Sequence, residues 1–169
     1  MKHRSLEIIR DEHSSLAAML QSMRLMVDRG PQNDPKNFFD VLRAMLFYID
    51  EFPERLHHPK ETELLFPRVA AAAPDVGVAV ARLDRDHEYT EHAVREIQHL
   101  LLGWELLGEA RRQVFVDAFT KYVNLYLAHM RLEEQEILPA AEKYLSEADW
   151  KLLDAAFEEN CDPLTGKYK

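Results

Sequence analysis

Four stretches of this chain repeat apolar residues every three or four positions for about 20 residues or more, and that period allows little but long helices. The first runs from about 6 to 28, with Leu6, Ile9, His13, Leu16, Leu20 and Met23 on one face, and stops at the breaker cluster RGPQNDP. The second runs from about 35 to 72, with Phe38, Val41, Leu42, Met45, Ile49, Phe52 and Leu56 in register. Pro53 and Pro59 interrupt it, so a kink or restart is expected there. The third, about 74 to 107, carries Val76, Val80, Leu83, His87, Glu91, Val94 and Leu101. The fourth, about 109 to 144, carries Phe115, Ala118, Tyr122, Leu125, His129, Glu133, Glu136 and Ala140. A shorter helix follows, with Ser146 as N-cap and Trp150, Leu153 and Phe157 as its apolar stripe.

No strand pattern competes, and the connections are short. The expectation is an all-α fold: an antiparallel up-down four-helix bundle with a short C-terminal fifth helix. It makes one domain over 1–169, the bundle at about 3–145 and the last helix and tail at about 146–169. A length of 169 residues suits a single core of useful size.

The formal net charge of -9 argues against nucleic acid or an anionic membrane surface as partner, since both ask for a basic face. No apolar run reaches the length of a membrane span, and MKHRSLEIIRDEH turns polar too soon for a secretory signal. The single cysteine, Cys161, permits no internal disulfide and reads as an ordinary thiol in a tail. A cytoplasmic location is the expectation.

The informative residues are the eight histidines. Five have a glutamate four positions on, which on a helix points the same way: His3/Glu7, His57/Glu61, His87/Glu91, His92/Glu96 and His129/Glu133. His3 sits at the chain start, and His92 and His99 lie on a charged stripe; these read as surface. His13, His57, His87 and His129 instead share their faces with apolar residues, one on each helical segment, as do Glu61, Glu91 and Glu133. A lone inward histidine is most simply a hydrogen-bonded core residue. Three carboxylates in an apolar bundle are costly unless a cation neutralises them, and no Lys or Arg has the register to do so for all three. A metal cluster does. Imidazole with bridging carboxylate suits non-heme iron, manganese or zinc, and ligands converging from four helices make a bundle-core dinuclear site. Within LHHPKETELLFP, His57 shares the face of Glu61, Leu64 and Leu65. His58 falls with Glu51, Arg55 and Thr62 and is expected to be solvated or a neighbour of the site.

This ordered set resembles the hemerythrin-like family, also called the HHE cation-binding domain: His13, then His57 to Glu61, then His87, then His129 to Glu133, with LLFP and EILPAA after the two pairs. The resemblance covers about residues 3 to 145. It implies two non-heme iron ions with an oxo or hydroxo bridge, Glu61 and Glu133 bridging. His13 and His57 would complete one metal, and His87 and His129 would sit on the other. Two departures are visible. Oxygen-carrying hemerythrins have a second histidine one turn after that of the third helix, where this chain has Glu91, and an aspartate five residues after the last histidine, where it has Glu134 beside Glu133. The pattern is closer to the bacterial branch that includes di-iron proteins implicated in repair of iron–sulfur centres.

The resulting expectation is a di-iron protein that binds or senses O2, NO, peroxide or iron, its partner a small diatomic or peroxide ligand. An oxidase or peroxidase with Tyr122 or Tyr126 as redox neighbour, or an iron-centre repair protein, is one alternative, and a helical interaction protein with a structural metal is another. Whether the chain is an enzyme stays open, and a homodimer is compatible with the sequence. The metal ligands expected are His13, His57, Glu61, His87, Glu91, His129 and Glu133.

Overall fold

The structure, a computed structural model, describes residues 3–160, so Cys161 and most of the expected tail lie outside it. Every long periodic segment is helical, and there is no strand among the described residues. Helix α1 spans Arg4–Arg29 and ends at Gly30, whose positive φ of 73° suits a residue without a Cβ. The second segment begins with α2 (Pro35–Ile49), started by Asp34, whose carboxylate accepts from the Asn37 amide, with a proline at the first helical position. It continues through α3 (His58–Lys60) to α4 (Phe66–Ala72). Helix α5 spans Gly77–Leu107, and the last segment is built from α6 (Arg112–Leu132) and α7 (Leu138–Tyr144). Helix α8 (Glu147–Glu158) opens with a capping box between Ser146 and Asp149 and buries Trp150, Leu153 and Phe157, the cap and stripe expected.

The prolines do not break the second segment. They widen it. Three π-helical stretches, Asp50–His57, Glu61–Leu65 and Glu133–Ile137, are continuous with their neighbours. Each ends two residues before a proline: Pro59, Pro67 and Pro139. A proline has no N–H, and its ring collides with the carbonyl four residues back. Shifting to i→i+5 bonding relieves both problems without ending the helix. The amides of His58, Phe66 and Leu138 accordingly reach back to the carbonyls of Pro53, Glu61 and Glu133.

Two apolar clusters form the core. One gathers Leu16, Leu20, Ile49, Val94, Trp104, Phe115, Tyr122 and Tyr126. The other gathers Ile9, Leu65, Phe66, Leu83, Ile137, Trp150 and Phe157. Along α1 the chain leaves the second cluster at Ile9, passes His13, and enters the first at Leu16. The next segment passes from Ile49 through His57 and Glu61 to Leu65, α5 from Leu83 through His87 to Val94, and the last from Tyr126 through His129 and Glu133 to Ile137. The polar residues singled out by the sequence, Glu91 excepted, thus form one layer between two apolar cores. Leu56, placed on the inward face by periodicity, is exposed, because the π-helical turn after Pro53 rotates it outward.

Candidate metal centre

In that layer the side chains of His13, His57, His58, Glu61, His87, His129 and Glu133 are all buried, and Glu61 and Glu133 have 0% exposure. The ligand atoms fall into two groups that share Glu61: His13 and His57 with one of its oxygens, and His58, His87 and His129 with it on the other side. Glu61 Oε1 lies beside His57 Nε2 and 3.7 Å from His13 Nε2, while Oε2 lies 3.2 Å from His87 Nε2. Glu133 Oε2 is 3.5 Å from His13 Nε2 and 3.7 Å from His129 Nε2, so it too touches both groups.

Each of the five imidazoles has its other nitrogen occupied. Nδ1 of His13 meets Glu134 at 3.1 Å, that of His57 meets Glu12, that of His58 meets Glu54 at 3.0 Å, and that of His129 meets Asp86 at 3.2 Å. The Thr62 hydroxyl is 2.8 Å from Nδ1 of His87. An Nδ1–H that donates to a carboxylate leaves the lone pair on Nε2, which is the tautomer a metal requires. The Nε2 atoms of His87 and His129 stand 3.1 Å apart, close to the roughly 3 Å between two nitrogens bound to one cation at about 2.1 Å each.

The electrostatics without a cation are strained. None of the four carboxylate oxygens of Glu61 and Glu133 accepts a directed hydrogen bond from a described residue. Burial, with Glu61 next, pushes the Glu133 carboxyl well above its usual range. Burial acts the same way on Glu61, but the facing His57 and the approach of His13 and His87 override it and hold that carboxyl low. Two carboxylates in one dry layer cannot both stay charged unaided. His58 and His129 are pushed down by burial and by neighbouring imidazoles, so they are neutral. Burial works against a charge on His57, but the facing Glu61 and Glu12 carboxylates outweigh it and raise its imidazole.

Two sequence readings are corrected here. His58 is buried with 5% exposure and stacks on His87 with ring centroids 4.0 Å apart. The widened stretch over Asp50–His57 shifts the register of the His-His pair, so that both members are buried where a uniform helical wheel turns only His57 inward. Glu91 is exposed and outside both ligand groups. The inward stripe of α5 is His87, Thr90 and Val94, which leaves Glu91 with Glu63, Asp84 and Glu88 in an open cleft of about 360 Å³ whose lining also includes His58 and His87.

The sequence reading missed Glu12, Glu54, Asp86 and Thr62, and gave Glu134 no role beyond that of a competitor to Glu133. Glu54 stands four residues before His58, a signal equal to H-x-x-x-E read backwards. It is 5% exposed, accepts from the Thr90 and Tyr122 hydroxyls at 3.1 Å each, and is pushed up to about 8 by burial against those two bonds. The Tyr126 hydroxyl is 2.7 Å from His58 Nε2. Beside His13, His57 and Tyr126 lies a small pocket with about 30 Å³ of free space, closed mainly by Leu16, Tyr48, Phe52 and Leu56.

Residues 4–141 match the family model of the hemerythrin HHE cation binding domain. No curated protein matches the chain.

Proposed function

The chain belongs to the hemerythrin HHE cation-binding family, and from that premise we propose a dinuclear non-heme metal protein, iron foremost, that binds or senses O2, NO or peroxide. The alternating passage of four helical segments between the two apolar clusters favours the antiparallel four-helix arrangement for it. The observation that carries the reading is the convergence of Nε2 atoms, their Nδ1 partners already assigned, on four buried carboxylate oxygens without hydrogen bonds. That donor set fits the group: neutral nitrogen and anionic oxygen in one water-poor layer suit iron, manganese or zinc.

In this reading His13 and His57 would hold one cation and His58, His87 and His129 the other, with Glu61 and Glu133 shared between them. A bound iron pair would supply one-electron chemistry toward a small oxidant. The protein does the rest. Glu134, Glu12, Glu54, Thr62 and Asp86 orient the imidazoles and raise their basicity. Leu16, Phe52 and Leu56 keep bulk water from the His13 and His57 side while leaving room for a molecule of two or three atoms. With five neutral imidazoles in place of four and Glu91, the donor set carries two negative charges. Its pattern therefore departs from the four-histidine set expected from the sequence. A second reading, an oxidase or peroxidase, is favoured by one observation: Tyr126 stands against His58, and its ring packs edge-on to Tyr122 at 5.4 Å.

The test is metal analysis of protein purified without chelator and after anaerobic loading with ferrous iron, expected to give close to two equivalents. Optical and Mössbauer spectra on exposure to O2, NO and peroxide then separate binding from turnover. One equivalent or none after loading would refute the dinuclear reading.

A further inference from the structure

The chain at the end of helix α8 reaches into the metal layer. Asn160, two residues past Glu158, is 3% exposed and has its backbone amide bonded to the Phe157 carbonyl at 3.0 Å. Its side-chain amide donates to both oxygens of Glu12, at 3.0 and 3.4 Å. Glu12 in turn accepts from His57 Nδ1, and the Lys60 ammonium donates to Asn160 Oδ1. The orientation of the amide is fixed by its partners, because an ammonium can face only the oxygen and a carboxylate only the NH2. Phe157, one turn earlier, sets its ring edge-on to His57 at 5.9 Å.

Helix α8 is fastened to the bundle by contacts that do not involve this relay. Ser5 donates to Asp154 through its backbone amide at 2.8 Å and its hydroxyl at 2.6 Å. Trp150 stacks on His3 at 4.0 Å. The helix is thus anchored at its middle, and the chain two residues past its end presents Asn160 to the site.

Resting on the proposed dinuclear reading, we propose that Asn160 is a positioning residue for one of the two cations, the one at His13 and His57. It acts through Glu12. A half-buried carboxylate with a single donor can rotate; a second donor from a distant part of the chain pins it, and Glu12 then pins the ring plane and tautomer of His57. The other cation position, at His58, His87 and His129, receives nothing from α8: its orienting groups are Glu54, Thr62 and Asp86. The inference is therefore asymmetric. The C-terminal helix tunes one metal and not its neighbour.

Asn160→Ala in the full chain should weaken ferrous binding at one position by about 10–100-fold, the usual cost of losing an orienting partner, with the second position unchanged. Anaerobic calorimetric titration with ferrous iron alone, backed by metal analysis, would then show one tight and one weakened phase. Glu12→Gln should reproduce that pattern, and Asn160→Gln should restore part of it by keeping an amide donor. Asp154→Ala is the control: it loosens α8 and lowers Tm but leaves both binding phases intact. Two wild-type phases in Asn160→Ala would overturn the inference, as would equal weakening of both phases in Asn160→Ala and Asp154→Ala. A wild-type chain that binds no iron would instead overturn the dinuclear reading beneath it.

Discussion

Replacing Glu133 by glutamine separates a metal bridge from an ordinary buried polar residue. The two side chains are close in shape, so the change removes charge and little else. In the cation-free protein Glu133 is fully buried, accepts no directed bond from a described residue, and is driven towards its neutral form by burial and by Glu61. Glutamine is neutral already. Glu133→Gln should therefore leave the metal-free Tm within about 4 °C of wild type, since one neutral buried group replaces another of the same shape at a cost of about 1 kcal/mol. The metal-bound state behaves oppositely. A ligand at one hundred times its dissociation constant adds about 2.7 kcal/mol per site. For a chain of 169 residues each kcal/mol moves Tm by about 2–4 °C. One cation therefore adds about 5–11 °C, and two add roughly twice that. A bridge serves both cations, so Glu133→Gln should forfeit at least half of the gain. The assay is scanning calorimetry of the chelated and the ferrous-loaded protein, both anaerobic. A variant whose metal-free Tm falls by 5 °C or more while its gain with iron stays whole would refute the reasoning, because Glu133 would then be part of the scaffold only.

His58→Ala should lose the cation held with His87 and His129, read by metal analysis, whereas Tyr126→Phe should keep it and tighten ferrous binding by about 2–10-fold, the worth of the one hydrogen bond that competes for His58 Nε2; a lost metal in Tyr126→Phe would make the phenol itself a ligand. Glu91→Ala should change neither metal content nor stability by more than about 0.5 kcal/mol, as expected of an exposed rim residue. Glu54 gives the pH dependence of the metal-free protein. Its folded carboxyl lies near 8, above the 4.5 of the free side chain, so the native state binds the extra proton and stability falls as pH rises from about 4.5 to 8. In urea titrations, wild type should lose up to about 1.4 kcal/mol per pH unit relative to Glu54→Gln across that window, and parallel pH profiles would rule the buried carboxyl out.

The helices, their order, the cap at Ser146 and the polar layer were legible because a 3.6-residue period survives wherever the helix is regular. On α1, α5 and α6 that period places His13, His87 and His129 inward, and the structure agrees. Glu91 shows the limit even there. Residues i and i+4 differ by about 40°, enough to separate a ring at the centre from a carboxylate at the rim when Thr90 already takes the inward place. The orienting carboxylates were less legible for another reason. Glu12, Asp86 and Glu134 each sit next to a site residue in sequence but serve a histidine on a different helix, and no spacing rule along one helix can see such a pair. Glu54 to His58 was visible in principle, since it obeys the same four-residue rule in the reverse direction.

The remaining discrepancy lies in the prolines. Both His-to-Glu pairs are followed by a π-helical turn that begins on the glutamate itself and closes two residues before a proline. The same arrangement precedes Pro59 and overlaps His57. A helical wheel drawn through these stretches accumulates error at each one, which is why Leu56 was placed inward and His58 outward. Yet the cause is written in the chain: LHHP, LLFP and EILP each carry a proline within a continuing helix, and in all three the helix widens before it and so avoids the ring clash. The widened turn lets two consecutive imidazoles face one layer. Near His57 and His58 the register must therefore be counted from the prolines rather than from a uniform 100° step, and it is the proline spacing that turns an ordinary amphipathic helix into one with an extra nitrogen donor.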